Sequence, residues 1–200
     1  VDRIYQRICK IAERAALMAE TEVSIHFDNA CSNYIPDRHL EKILHDKFVE
    51  TGVEKMWNTL SNEEKNNFIK IAKGIGYHGY GKEFKGKYLA DTISPYVPSQ
   101  KILKGPTDIG DVSCVVPTAQ LSSDTAVLDA SLHFWQMTIQ GLTSIANKGM
   151  LRAAQAMALT GLHILQNPAD LQKVKEEFKK ENPYTCLIPQ DVKPSKLNKN

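Results

Sequence analysis

Apolar residues recur at three- and four-residue steps from the start of the chain. Ile4, Ile8, Ile11, Ala15 and Met18 share one stripe, with Asp2, Arg3, Arg7, Lys10, Glu13 and Arg14 mostly off it. This spacing predicts an amphipathic helix. At Thr21 the period drops to two: Val23, Ile25 and Phe27 face one way, and Glu22, Ser24, His26 and Asp28 the other. That alternation predicts a strand over 21–28. A helix feeding an alternating strand is half of an α/β sandwich, and it needs partner strands from elsewhere to bury both faces.

The helical period returns after a linker at 33–36. Asp37 is placed to cap a helix carrying Leu40, Ile43, Leu44 and Phe48, which Gly52 closes. Ser61 and Glu64 have the spacing of a capping box, ahead of the stripe Phe68, Ile69, Ala72 and Ile75. Between Gly74 and Gly105 no period persists, and glycines alternate with Tyr77, His78, Tyr80, Tyr88 and Tyr96. A loop of this length is functional or poorly ordered. The short apolar run 112–117 predicts a buried strand, 125–128 another, and 132–140 a third that carries His133 at its start. Thr143 or Ser144 caps a long helix with Ile145, Ala153, Ala154, Met157, Ala158 and Leu165. Asn167-Pro168 ends it and opens a helix over 169–180 with Leu171, Val174 and Phe178 inward. Pro183, Pro189 and Pro194 mark an extended tail. The fold class expected from this order is α/β.

Composition narrows the function classes. The 200 residues are 42% hydrophobic and 24% charged, with a formal net charge of +2. So balanced a charge gives no field to attract nucleic acid or a membrane surface, and no apolar run is long enough to span a bilayer. Cys9, Cys31, Cys114 and Cys186 are widely spaced and form no C-x-x-C pair, which argues against a zinc knuckle or a dense disulfide framework. A cytoplasmic location is the expectation, and a chain that opens inside a helix implies a natural N-terminus upstream.

Candidate chemistry concentrates in the second half. Gly105-Pro-Thr-Asp-Ile-Gly-Asp-Val-Ser113 sets Thr107, Asp108, Asp111 and Ser113 in a Gly-punctuated segment, and His133 follows. Asp beside Gly commonly bonds its own backbone in a turn, and a lone His is usually a hydrogen-bonded surface or core residue. By spacing alone those readings stand beside the functional ones. His26, on the polar face of its strand, is expected to be solvated. His39, His45 and His163 sit on helices, where exposure or a helix-end role is the default. His78 in the Tyr/Gly/Lys loop is a weak substrate-contact candidate, and Lys148 near a helix start is a weak anion-binding one. Nowhere does the sequence show a second cluster of His, Cys or carboxylate residues able to complete a metal site.

The motifs in order carry a resemblance. Asp108 to Val116 with Pro117-Thr118, then Leu132-His133-x-Trp135-Gln136, then Ser144-Ile145-Ala146-x-Lys148-Gly149-Met150-Leu151, resemble the C-terminal half of the dinuclear-metal aminoacylase and carboxypeptidase-like peptidases. The branch they resemble most is the p-aminobenzoyl-glutamate hydrolase-like amidohydrolases. Ala15-Ala16-Leu17-Met18 with Thr21-x-Val23 is similar to the end of that branch's lid, or dimerisation, domain. Pro183-Tyr184 through Ile188-Pro189 and Val192-x-Pro194 resembles its tail.

The resemblance implies a catalytic domain interrupted by a lid. Residues 1–32 would be the last helix and strand of a small α+β lid, and 33–200 the second catalytic segment, a three-layer sandwich of helices around a mixed sheet. It implies two divalent ions, zinc or manganese, with most ligands and a general-base Glu in an upstream segment. His133 matches the late metal-ligating His, so no catalytic base is expected in this chain. The loop of Asp108, Asp111, Thr107 and Ser113 would lie beside the site, orienting His133 or substrate. The implied activity is metal-dependent hydrolysis of the amide bond of N-acyl amino acids or dipeptide-like substrates, by a homodimer joined through the lid, with the isolated chain inactive. The alternative is a non-catalytic fragment or pseudoenzyme acting as a structural or binding module. Two positions depart from the pattern: Asn147 stands where the branch often has His, and Cys114 where an aromatic residue is common. The segment 121–131 also lacks the glycines expected before the ligand His.

Overall fold

A computed structural model describes residues 2–52, 56–76, 86–90, 92–98, 107–181, 187–188 and 192. His78, Cys186 and the prolines of the tail lie outside the described residues. The chain divides into two compact units, residues 1–32 with 185–200, and residues 33–184.

In the first unit, α1 (Asp2–Met18) forms where the apolar stripe predicts it. None of its residues is buried, and Ile4, Ile8 and Ile11 are more than half exposed. The Tyr5 ring meets Phe27 edge-on at 5.6 Å. Residues 21–30 form neither helix nor ladder. An alternating segment becomes a strand only against a partner.

The second unit is helical. Asp37 caps α2 (Arg38–Glu50) by accepting from the Leu40 amide at 2.8 Å, and Gly52, at φ 68°, turns the chain away. A 3-10 turn at Trp57–Thr59 leads to α3 (Asn62–Gly74), which opens with the predicted capping box of Ser61 and Glu64. α4 is Ile109–Ser113, α5 Trp135–Gln140, α6 Ser144–Gln166 and α7 Pro168–Glu181. Thr143 caps α6, and Asn167 closes it by donating to the His163 carbonyl at 2.7 Å. α2, α6 and α7 pack pairwise.

Among the described residues, two clusters make the core. Leu44 and Phe48 of α2 meet Ala156 of α6, with Ile93, Ala119 and Leu121 against them. Met56, Leu60, Phe68, Ala72, Leu89, Val127 and Ile145 form the other. Gly149 lets α6 approach the loop beside it: a Cβ there would lie 2.1 Å from the Asp124 carbonyl oxygen.

Among the described residues there is no strand, and two segments expected as strands begin or continue as helix. In 112–117, Val112 belongs to α4 because its amide bonds the Asp108 carbonyl, and Val116 bonds that of Val112. Ser113 and Cys114 are buried, but Val112, Val115 and Val116 are about half exposed, so burial does not run the length of this segment. In 132–140, only 132–134 stay outside helix, and α5 takes the rest, with the amides of Met137 and Thr138 on the Phe134 carbonyl. Local i→i−3 and i→i−4 bonds need no second strand, which decides the matter in short segments. Residues 125–128 are irregular, although Val127 is buried.

Candidate active site

His133 occupies the turn that precedes α5. Its φ of 66° is left-handed, a region a non-glycine side chain enters at a cost of about 1–2 kcal/mol. Asp129, four residues earlier, is left-handed too, at φ 67°. Such residues persist when their surroundings over-determine them, and they concentrate at functional sites. The imidazole is exposed and makes no hydrogen bond or ion pair with a described residue.

What fixes the turn is Gln140, which is fully buried. Its Oε1 accepts from the Val127 amide at 2.8 Å, and its Nε2 donates to the Gln136 carbonyl at 2.8 Å. One side chain thus ties the end of α5 both to its own first turn and to the loop ahead of His133. The amide of Leu128 bonds the Tyr88 carbonyl at 2.9 Å, and Ser123 donates to the Gly149 carbonyl at 3.1 Å, fixing that loop from two sides. The hydrophobic pattern gives no signal for Gln140, because a Gln on an amphipathic segment is ordinarily solvent-facing.

Asp111 and Ser113 lie in the single turn of α4, with Asp108 at its N-cap and Thr107 just ahead of it. Thr107 Oγ1 accepts weakly from the Ile109 amide at 3.4 Å. Asp108 is exposed, stands at the N-cap position, and its side chain caps nothing. Asp111 is half-buried. Ser113 is buried and committed to structure: its hydroxyl donates to the Gly110 carbonyl at 2.6 Å and accepts from the Ile35 amide at 2.9 Å, fastening the linker ahead of α2. No hydrogen bond or ion pair among the described residues joins this turn to His133.

The other described histidines are engaged elsewhere, and two meet at a carboxylate that no sequence motif marks. Asp170 of α7 accepts from His163 Nε2 at 2.8 Å, Lys173 Nζ at 3.0 Å and His39 Nε2 at 3.2 Å. These bonds, the one from His163 first, hold its carboxyl well below the usual range. Lys148, a weak anion-binding candidate by its position, instead reaches Glu64 at 3.1 Å. Glu64 also accepts from the Ser144 hydroxyl, and that bond, followed by those from the Ser61 amide and Lys148, pushes its pKa down to about 2. His45 is shared between Asp46 and the Ser94 carbonyl. Among the described residues, no three of His, Cys, Asp and Glu are grouped so as to hold a metal ion.

An exposed imidazole without a partner among the described residues, on a strained and well-supported turn, is suited to bind something from outside them. Comparison with known proteins bears on what. The chain is 38% identical over 215 aligned positions to a polypeptide of the p-aminobenzoyl-glutamate hydrolase of Escherichia coli (strain K12), an alignment covering 98% of the chain. It is a relative of the p-aminobenzoyl-glutamate hydrolase-like amidohydrolases. A second similarity, 36% identity over 87 residues and 42% of the chain, is to the Xaa-Arg dipeptidase of Mus musculus. The chain spans 44% of the length of the first relative and 20% of the second. No family model matches the chain, and no solved structure does. The resemblance read from the ordered motifs therefore holds along nearly the whole chain. Both relatives are named as hydrolases of amide or peptide bonds, and no helix among the described residues is long and apolar enough to cross a membrane.

Proposed function

We propose that this chain is the C-terminal portion of a metal-dependent amidohydrolase that cleaves N-acyl amino acids or dipeptide-like amides. The observation that carries the reading is the 38% identity to the Escherichia coli p-aminobenzoyl-glutamate hydrolase polypeptide over 98% of the chain. In this proposal residues 1–32 end a lid through which two copies dimerise, and residues 33–200 are the second catalytic segment. The mixed sheet of that segment would form with strands from the remainder of the enzyme, and the alternating residues 21–28 would pair separately, with strands of the lid.

His133 fits a place in a metal site as one ligand of a set. Its imidazole spends neither nitrogen on a described neighbour, and neutral imidazole is a common ligand for zinc. Alone it does not make a site, and the described residues supply no companions. Two divalent ions, zinc or manganese, would supply a bound water acidic enough to be a nucleophile at neutral pH. The role of this chain is then to position. Gln140 and the 123–128 loop hold the His133 turn, and Asp108 and Asp111 present carboxylates from α4 toward substrate or the ligand shell. A carboxylate general base comes from outside the chain, so the 200 residues alone do not hydrolyse amides.

His133→Ala in the full polypeptide should lower bound metal and remove most amidase activity. Full metal content with full activity in that variant would overturn the ligand assignment. A second reading, a non-catalytic module, is favoured by the lack of a three-ligand cluster among the described residues. Metal analysis of the endogenous full polypeptide separates the two, since the module binds none tightly.

A further inference from the structure

Asp37 is buried, with 4% of its surface exposed, yet only half its carboxylate is used. Oδ1 caps α2 through the Leu40 amide. Oδ2 is shielded and has no hydrogen-bond partner among the described residues. A buried acceptor left unmade is costly, more so when it carries charge. Asp37 lines a cleft with Ile35, Pro36, Pro117, Thr118, Glu177 and Phe178. Glu177, the second carboxylate of that cleft, is already engaged: its two oxygens accept from the amides of Arg38 and His39 at 3.0 Å each.

The cleft has small dimensions and a definite charge. The space open to the centre of a water-sized sphere is ≈ 10 Å³, about what one water needs. Two carboxylates converge there, and burial together with Glu177 holds the Asp37 carboxyl above its ordinary range. A neutral water would satisfy the orphan oxygen but leave both charges in place. A cation of water's size, bearing several hydrogens, addresses both. That space seats the ammonium head alone, and the alkyl group that bears it would extend out of the cleft past the apolar Ile35, Pro36, Pro117 and Phe178. The terminal torsion of a carboxylate is soft, so Oδ2 turns toward a group seated in the cleft without backbone movement, with Oδ1 re-aligning on the Leu40 amide as it does so.

We propose that the cleft between Asp37 and Glu177 binds a primary ammonium group, held by the free Oδ2 of Asp37. This site is separate from His133 and uses none of the residues assigned to hydrolysis. The ammonium can belong to an α-amine or to a lysine side chain.

The test is titration of the full polypeptide with methylammonium chloride at fixed ionic strength, replacing sodium chloride and read by backbone amide shifts. Saturable shifts confined to residues around Asp37, Thr118 and Glu177 are expected, with a dissociation constant on the order of 10 mM for so small a ligand. Asp37→Asn keeps an N-capping oxygen but turns the other position into a donor, so it should abolish the response. Glu177→Gln should weaken it several-fold, and Glu63→Gln on the surface should leave it unchanged. Parallel titrations with glycinamide and with Nα-acetyl-lysinamide identify the source by which responds more tightly. An equal response to tetramethylammonium, no saturable response at all, or full binding by Asp37→Asn would overturn the proposal and leave the cleft to water. Because the wild-type titration stands alone, the proposal remains testable even where a variant fails to fold.

Discussion

The left-handed backbone of His133 sets the interests of folding against those of a binding site. Glycine adopts φ near +66° freely, whereas alanine meets the same Cβ clash as histidine. His133→Gly should therefore be more stable than His133→Ala by roughly 1 kcal/mol, measured by urea unfolding. Equal stabilities would mean that the turn is not held in this conformation in solution. Gln140 poses the opposite case. Leucine is close to it in size, but Gln140→Leu leaves the Val127 amide without its acceptor in a buried site. A loss of about 1–3 kcal/mol is expected, with increased amide exchange at Val127. Neither effect was legible in the sequence. Histidine is not a residue that announces positive φ, and a glutamine that reaches 13 positions back leaves no trace in hydrophobic periodicity.

At the scale of elements, helices with their own punctuation were the readable ones. Asp37, the Ser61–Glu64 pair, Thr143 and Asn167-Pro168 each act on the nearest turn, so a local pattern suffices to place α2, α3, α6 and α7. The expected strands were a different matter, because whether 112–117 or 132–140 forms a ladder depends on what lies beside it. The candidate site was read from an order of motifs, and the chain is similar along nearly its whole length to a hydrolase polypeptide. The geometry of the site was not legible, since nothing in the spacing of Thr107, Asp108, Asp111 and Ser113 reveals that Ser113 is spent on the Ile35 amide. Close packing of α6 gives a sharp test. Gly149→Ala forces a methyl group into the Asp124 backbone, which has no flexible end to yield. The expected destabilisation is about 1–3 kcal/mol, visible as a lower urea midpoint. Gly161→Ala, on the same helix with open space around it, should instead be neutral or stabilising.

The second unit as a whole is fastened by carboxylates that each join separate helices, which gives it a defined acid response. Asp170 joins α2, α6 and α7 through His39, His163 and Lys173, and Glu64 joins α3 to α6. Both carboxyls are depressed in the folded protein, so their contribution is present above the unfolded values and is lost as pH falls through the folded ones. For Glu64 this window runs from the ordinary 4.5 down to about 2. Asp37 and Glu41, raised chiefly by burial, act in the opposite direction and soften the acid limb. Glu64→Gln and Asp170→Asn should each lower stability at neutral pH and flatten its decline below the ordinary Glu value of 4.5. Unfolding midpoints measured across that range check the sign, and an unchanged slope in both variants would show that these carboxylates are not the groups that titrate.

Glu64 divides its labour between its two oxygens. Oε2 closes the capping box on the Ser61 amide, while Oε1 receives Ser144 and Lys148 from α6, 80 and 84 residues away. The first turn of α3 and the seating of α6 therefore draw on the same carboxylate. Solvent should reach both together: an opening that detaches the start of α6 also loosens the amides of Ser61 to Lys65, so that hydrogen exchange at these two remote places proceeds as one event.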